Sequence, residues 1–143
     1  MKTPAAPIFI LRRRRHEDHE ALSKLSVSEQ QQQFVEPMPL TLETSAMHRD
    51  NIVIEHGTEI AGYFQIATRA PAYIRQPLLE LCQVVVDRKH QGRGIGRQFL
   101  LFLPAFLKQQ YPDACGVVLT VNCRNKIAHH VYTAGGFTDT GET

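Results

Sequence analysis

The sequence predicts an α/β domain of the three-layer α+β kind, in which a mixed β-sheet carries helices on both faces. Apolar runs rich in β-branched residues, at 78–86 (LLELCQVVV) and 116–121 (GVVLTV), are typical of buried strands. Segments with apolar residues at helical spacing follow these runs, at 98–110 and 125–134. A chain of 143 residues is long enough for one such domain, and we expect residues 1–143 to form it.

Composition and charge exclude several classes of protein. The net charge of +2 is too small to indicate binding to nucleic acid or to a membrane surface. No run approaches the ~20 apolar residues that span a bilayer. The three cysteines, Cys82, Cys115 and Cys123, lack CxxC spacing and fit free thiols in a reducing cytoplasm. We therefore expect a cytoplasmic protein with no metal site, no nucleic-acid partner and no membrane partner.

The first half of the chain is predicted to contain a short first strand, short helices and a hairpin. In chain order the predicted elements are a strand at 8–11, helices at 17–25 and 30–35, an irregular connection at 36–50, and hairpin strands at 51–55 and 60–68. A proline-containing loop at 69–77 then leads into the apolar run at 78–86. After the second apolar run, the helix at 125–134 ends at Gly135, and residues 137–142 predict a last short strand.

Four consecutive arginines, Arg12 to Arg15, follow the first predicted strand and allow two interpretations. They could form a basic patch for an acidic partner, or they could be the solvated end of a strand. Acidic residues follow at once, at Glu17, Asp18 and Glu20, which favours the solvated strand end.

The chain is organised around residues 78–110, where a predicted strand, a glycine loop and a predicted helix follow one another. Glycines let the backbone approach an anion closely, and the unpaired N–H groups at a helix N-terminus attract negative charge. No Gly-Lys pair is present, which excludes a P-loop, and Arg97 stands where a dinucleotide-binding G-x-G-x-x-G fingerprint needs its third glycine. The pattern is instead Q-x-x-G-x-G, formed by Gln91, Gly94 and Gly96.

A second pattern lies further along the chain, N-x-x-A-x-x-x-Y at Asn125, Ala128 and Tyr132, followed by Gly136-Phe137. With Q-x-x-G-x-G on a strand–loop–helix unit before it, the sequence resembles the GNAT family of N-acetyltransferases. The resemblance implies a mixed, mostly antiparallel sheet and transfer of an acetyl group from acetyl-CoA, the co-substrate, to a primary amine by direct attack. The resemblance does not identify the acceptor, which is a small amine, an antibiotic, an amino acid or a protein lysine.

The resemblance assigns cofactor contacts to two segments. Backbone groups of the 82–86 strand would hydrogen-bond the pantetheine arm, and backbone N–H groups of the glycine loop would hold the pyrophosphate, with added charge from two arginines. The residues concerned are Val84, Val86, Gln91, Gly92, Arg93, Gly94, Ile95, Gly96, Arg97 and Asn125. Three of them have simpler interpretations, Arg93 and Arg97 as solvated side chains and Asn125 as the N-cap of the last helix.

Two residues are candidates for proton transfer under the same resemblance. Tyr132 would donate a proton to the leaving thiolate, or would simply be a buried amphipathic residue of the last helix. Glu80, within the run at 78–86, would take the proton that the acceptor amine must lose, or would be a glutamate at an exposed strand start.

Two departures from the family pattern bear on the substrate site. Pro104 lies inside the predicted helix, where it removes the hydrogen bond to Leu100 and costs about 3 kcal/mol unless a kink accommodates it. The chain stops at Thr143, whereas the family usually continues through a further strand. We therefore expect the last strand to be missing, and the sheet edge to be bare or covered by a second copy in a homodimer. A non-catalytic acyl-CoA-binding regulatory module is the alternative to an enzyme.

Overall fold

The computed structural model describes residues 8–26, 49–69, 78–92, 94–121 and 124–139. The strands are β1 Phe9–Arg13, β2 Asp50–His56, β3 Glu59–Arg69, β4 Leu78–Val86 and β5 Gly116–Val118, and the helices are α1 His19–Ser23, α2 Ile95–Gln110 and α3 Lys126–Ala134. Over these residues the sheet has five strands in the order β1-β2-β3-β4-β5. Neighbouring strands are antiparallel except for β4 and β5, which are parallel. The predicted mixed, mostly antiparallel sheet is confirmed.

Helices cover both faces of this sheet, as predicted, because side chains alternate along its strands. On β2, Ile52 and Ile54 pack in one core with α2, whereas Val53 between them packs in a second core with Leu22 of α1. We call the two sides the α2 face and the α1 face of the sheet. All four side chains are fully buried, and burying each one stabilises the fold by roughly 1.5–3 kcal/mol.

The long helix α2 forms because its apolar residues recur every three or four positions and so line one side. Ile95, Phe99 and Phe106 are among those buried in the α2-face core. Phe64 of β3 meets the rings of Phe99 and Phe106 edge-on, with centroids 4.9 Å and 6.3 Å apart. Pro104 lies on the exposed side of α2, and the helix runs through it without a break.

A bulge interrupts β4 at Gln83, which is the one non-glycine residue with a positive φ (49°) in the described part of the chain. Tyr63 pairs with Val85, and Gln65 pairs with Cys82, so β4 advances three residues where β3 advances two. The extra residue reverses the alternation of side chains. Odd-numbered side chains of β4 therefore face α2 before the bulge, and even-numbered ones face it afterwards.

Two strand predictions need correction. The run at 116–121 is not a long buried strand, because β5 spans only Gly116–Val118, none of its residues is buried, and its pairing with β4 ends at Val118. The segment predicted as a strand at 137–142 contains no strand over 137–139. There the Phe137 N–H donates to the Tyr132 carbonyl at 3.0 Å, so the chain closes the end of α3 instead of entering the sheet. Residues 140–142, the helix predicted at 30–35 and Cys123 lie outside the described residues.

Arg12 also differs from the prediction, since it is not part of a solvated strand end. Its guanidinium donates to both carboxylate oxygens of Asp18, at 2.8 Å and 2.9 Å, and to Glu55 Oε1 at 2.5 Å. The hydrogen bond between Arg12 and Asp18 raises the pKa of Arg12 and lowers the pKa of Asp18. The first arginine of the basic block therefore forms an internal ion pair. One of its partners, Asp18, is among the acidic residues that follow the block.

Three further observations concern membrane-spanning helices, disulfides and metal sites. None of the helices in the described ranges is long and apolar enough to cross a membrane. Cys82 and Cys115, the cysteines within those ranges, carry thiols and form no disulfide. The same residues include no group of three or more histidine, cysteine or carboxylate side chains placed to hold a metal ion.

Candidate active site

The pairing between β4 and β5 ends part-way along β4. They pair at three positions, of which Glu80 with Val118 is the last. From Leu81 to Val86, the outer edge of β4 has no strand beside it among the described residues. A strand edge with no neighbouring strand is a place where an extended ligand can lie along the backbone. We call this gap, between the Leu81–Val86 edge of β4 and residues 119–121, the β4–β5 cleft.

The cleft leads to the glycine loop, residues 91–96, at the end of β4. Gly92 and Gly94 have left-handed backbone angles, with φ of 81° and 77°, and a Cβ at either position would meet no heavy atom within 4 Å. The loop therefore borders open space. Gly94 is the N-cap of α2 and offers no side-chain acceptor, which leaves the first N–H groups of the helix available to an anion. Arg97, in the first turn of α2, is exposed, and Arg93 lies outside the described residues.

Side chains at the base of the loop hold it to the sheet. Gln91 Nε2 donates to the carbonyl of Val86 at 3.2 Å, which ties the loop to the end of β4. His90 is buried, and its Nε2 lies 3.0 Å from Glu59 Oε2 at the start of β3. These contacts hold the loop at the end of β4, the strand that forms one side of the β4–β5 cleft.

Tyr132 of α3 lies on the α2 side of the sheet, where it packs against the same core as Val84 and Val86. Its ring meets the ring of Phe137 edge-on, with centroids 5.6 Å apart. Burial raises the pKa of Tyr132 to about 12, and no hydrogen bond with another described residue contributes to this shift. The hydroxyl is therefore largely desolvated.

Glu80 lies on the opposite face of the sheet from Tyr132. Leu79 and Leu81 belong to the α2-face core, so the side chain of Glu80 between them faces α1. Glu80 is half-buried and stands across from Val118, at the point where the cleft begins. It is not the exposed glutamate of the simpler interpretation. The two residues predicted to transfer protons thus approach the cleft from opposite faces.

Asn125 caps α3, as its simpler interpretation predicts. Its Oδ1 accepts from the N–H of Ala128 at 3.2 Å, which is the bond that an N-cap side chain makes. The side chain is buried. A contact between Asn125 and a bound cofactor stays a prediction.

A polar network crosses the α1 face beside Glu80, and reasoning from the sequence does not find it. Gln65 has no exposed surface, and its Nε2 donates to Asn51 Oδ1 at 3.3 Å and to the Tyr63 hydroxyl oxygen at 3.0 Å. The Tyr63 hydroxyl donates to Asn51, and Arg49 Nη1 donates to Gln65 Oε1 at 2.9 Å. The one available signal is that Tyr63 and Gln65 are polar at alternate positions within 60–67, the otherwise apolar middle of the strand. Their partners depend on strand register, which the sequence does not display.

Known proteins resemble this chain in sequence and in fold. The uncharacterized N-acetyltransferase YbbJ of Bacillus subtilis is 34% identical over 71 residues, which are 49% of this chain and 44% of the relative, so the chain matches less than half of that relative's length. The structure of aminoglycoside N-acetyltransferase AAC(6')-Iy in complex with CoA has a TM-score of 0.70 at 16% identity, covering 99% of this chain and 95% of the other. A transcriptional regulator from Bacillus halodurans C-125 has a TM-score of 0.68 at 18% identity, covering 95% and 97%. The structural likenesses show a shared fold.

A family-level match covers most of the chain. The sequence profile described as "Acetyltransferase (GNAT) family" matches residues 12–137. That range includes the β4–β5 cleft, the glycine loop and α3 with its Asn125 cap. The chain therefore belongs to the acetyltransferase (GNAT) family.

Proposed function

We propose that the protein transfers an acetyl group from acetyl-CoA to a primary amine, which attacks the thioester directly. Family membership supports acyl transfer, and the similar aminoglycoside acetyltransferase was solved with CoA. One observation carries the proposal for this chain: the part of β4 beyond its pairing with β5 runs into a glycine loop at the N-terminus of α2. The proposal takes residues 1–143 as one domain that works in the cytoplasm.

The cleft and the loop together would hold acetyl-CoA. Backbone groups at Val84 and Val86 would bind the pantetheine arm, because an extended chain with amide groups matches the edge of a strand. Backbone N–H groups of residues 91–97 would hold the pyrophosphate, with charge from Arg93 and Arg97. The open space beside the left-handed glycines supports this fit. Bound acetyl-CoA supplies an acyl group activated as a thioester.

The acceptor needs a base, because an alkylammonium has no lone pair with which to attack. Glu80 is our candidate for that base. Its carboxylate is half-buried on the α1 face, at the point where the cleft begins. From there it would take the proton directly or through one water molecule.

Tyr132 is our candidate for the acid that protonates the leaving thiolate. With a pKa of about 12, its phenol stays protonated at neutral pH. Proton transfer to an ordinary thiolate, whose conjugate thiol has a pKa of about 8.5, would be uphill by about 5 kcal/mol. Desolvation raises the pKa of a thiol as well as that of a phenol. The burial that weakens Tyr132 as an acid would therefore strengthen a thiolate beside it as a base.

The second candidate function is a non-catalytic acyl-CoA-binding module that regulates a partner. One observation favours it, namely that the similar Bacillus halodurans structure is described as a transcriptional regulator. Such a module would use the same cleft and loop, but it would have no need of Glu80 and Tyr132 as proton carriers.

Turnover separates the two functions. Purified protein is incubated with acetyl-CoA and a panel of alkylamines, amino acids, aminoglycosides and lysine peptides, and free thiol is followed against the hydrolysis background. We expect release with at least one class of amine, together with an acetylated product by mass spectrometry. Calorimetric titration with CoA measures binding separately. Binding without turnover would favour the regulatory module, and absence of binding would contradict both functions.

A further inference from the structure

A basic depression opens where β1 ends and β2 begins, at the end of β2 that lies away from the glycine loop. Its volume is about 350 Å³, at the lower end of the size of small-molecule sites. Its lining includes five basic residues, Arg13, Arg14, Arg15, His16 and Arg49, and one acidic residue, Asp50. The predominance of positive charge suits an anionic group.

The acidic residue in the lining is already paired. Asp50 Oδ2 lies 3.2 Å from Arg13 Nη1 and accepts a hydrogen bond from the Tyr111 hydroxyl. Arg15 approaches Glu17 only at 3.9 Å, with both side chains exposed. Asp50 thus pairs with Arg13, and Arg15 lies near Glu17, whereas no ion pair with a described carboxylate forms at Arg14 or Arg49.

The guanidinium of Arg14 contacts an imidazole and that of Arg49 contacts an amide, and neither contacts a carboxylate among the residues that the structure describes. Arg14 Nη2 lies 3.0 Å from His19 Nδ1, and Arg14 Nε is buried with no hydrogen-bond partner in this part of the chain. Arg49 Nη1 donates to the amide oxygen of Gln65. A buried donor on a charged group is costly until an acceptor reaches it. The two guanidiniums therefore have hydrogen-bonding capacity left for a ligand.

Strand register places Arg49 on the same face of the sheet as Glu80. Asp50 pairs with Ile66, and Ala67 pairs with Glu80. Continued by one residue, the register sets Arg49, Ala67 and Glu80 in one row across β2, β3 and β4. Two interstrand steps separate Arg49 from Glu80, which is about 10 Å. A small molecule can span that distance.

We infer that the acceptor is a small amine with a carboxylate or phosphate group at its far end. Arg14 and Arg49 bind the anionic group while the amine lies at Glu80, a placement that rests on the function proposed above. Guanidinium forks bind carboxylate and phosphate alike through paired, charge-assisted hydrogen bonds. A polycationic acceptor is disfavoured, because its charges would face these arginines.

Matched acceptors test the inference. The panel consists of ω-aminoalkanoates of increasing length, ω-aminoalkyl phosphates, the carboxamides of the same lengths, and spermidine as the polycation. We expect kcat/KM for the anionic amines to exceed that for the carboxamides by about tenfold or more, the effect of one charge-assisted hydrogen bond. The optimum length should be the one that spans about 10 Å.

Failure of the inference and failure of the proposed function give different results. Equal rates for acids and carboxamides, or spermidine as the best acceptor, would overturn the inference alone, because turnover of these amines upholds acetyl transfer. Binding of CoA without turnover of any amine would overturn both.

Substitutions of Arg14 and Arg49 test whether these two residues bind the anionic group of the acceptor. Arg14→Gln and Arg49→Gln should each lower the ratio of kcat/KM for the aminoalkanoate to that for its carboxamide by about tenfold. Arg49→Lys, which keeps the charge and loses the fork, should recover part of the ratio. Lys24→Gln is the control, since it removes one positive charge from the exposed Lys24–Glu20 pair. If the glutamine variants slow both acceptors equally, the arginines are structural and the inference is overturned.

Discussion

Arg12 and Asp18 form a bidentate ion pair, with Nη1 2.8 Å from Oδ2 and Nη2 2.9 Å from Oδ1. Asp18 Oδ2 also accepts from the N–H of Arg15 at 2.7 Å, and only 7% of the Asp18 side chain is exposed. The pair joins the end of β1 to the turn that precedes α1. Because Leu22 of α1 fills the core on the α1 face, the pair helps to position that helix.

Asp18→Asn should destabilise the fold, because the largely buried guanidinium of Arg12 loses its main counter-ion. Glu55 still pairs with Arg12, so we expect the free energy of unfolding to fall by about 2 kcal/mol, below the usual cost of breaking a buried pair. Urea denaturation at neutral pH measures it. Lys24→Gln breaks an exposed pair with Glu20 and should cost less than about 0.5 kcal/mol. Equal effects of the two substitutions would contradict this account.

The same pair predicts a pH dependence of stability. The hydrogen bond from Arg12 holds the pKa of Asp18 below its ordinary value of 3.8. The folded state therefore binds this proton less tightly than the unfolded chain does, and the stabilisation is fully present above that ordinary value. It is lost as the pH falls through the lowered folded value. The gap in unfolding free energy between the wild type and Asp18→Asn should narrow in acid, and a gap that is constant with pH would exclude this linkage.

β3 and β4 approach each other closely at Gly62, next to the bulge. A Cβ at Gly62 would lie 2.5 Å from the carbonyl oxygen of Val85, so Gly62→Ala must push the strands apart. We expect a loss of about 2 kcal/mol in the free energy of unfolding, measured by thermal or urea denaturation. Gly116→Ala in β5 is the control, because its Cβ would meet Leu78 Cδ1 at an ordinary 3.5 Å. If both variants are as stable as the wild type, the close approach is not a constraint on the fold.

Tyr132→Phe should lower kcat by at least about tenfold, the smaller end of the usual effect of removing a catalytic acid. The ring and its contact with Phe137 remain, so the Kd for acetyl-CoA should stay unchanged. Because burial raises the pKa of Tyr132 to about 12, its ionisation should leave no alkaline limb in the pH–rate profile near neutrality. Steady-state kinetics and calorimetry test both points. Full activity of the variant would remove Tyr132 from the mechanism.

Glu80→Gln tests the base. The amide keeps the shape of the side chain and cannot accept the proton, so kcat/KM should fall by about a hundredfold or more at neutral pH. The acidic limb of the pH–rate profile should also disappear. Glu20→Gln, at an exposed position on α1, is the control and should change neither. An acidic limb that stays in place in Glu80→Gln would show that another group is the base.

The glycine loop, α2 and the Asn125 cap could be predicted from the sequence, because each depends on residues that are close together in the chain. The glycines of 91–96 and the apolar spacing of α2 depend on residues close together in the chain, and both predicted elements are confirmed. The capping role of Asn125 is local in the same way. The family resemblance, now shown, rests on these segments.

Features that depend on strand register could not be predicted from local sequence patterns. The bulge at Gln83 arises because β4 carries one more residue than β3 between two pairs, and nothing in the run LLELCQVVV marks it. The pairing of Arg12 with Asp18 and Glu55 joins residues on three separate elements. The row that relates Arg49 to Glu80 requires the register of two strand pairs at once, so the basic depression becomes a candidate acceptor site only when the sheet is assembled.

Gly94→Ala tests the glycine loop directly. Its φ of 77° is strained for a residue with a Cβ, which costs about 1–2 kcal/mol, and the added methyl group would enter the open space proposed for the pyrophosphate. We expect the Kd for CoA, measured by calorimetry, to rise about tenfold or more. Gly136→Ala is the matched control, because its φ of 105° is also left-handed and its Cβ would likewise meet nothing within 4 Å. That variant should lose similar stability and keep its affinity for CoA, so equal weakening of CoA binding in both would attribute the loss to strain and not to the loop.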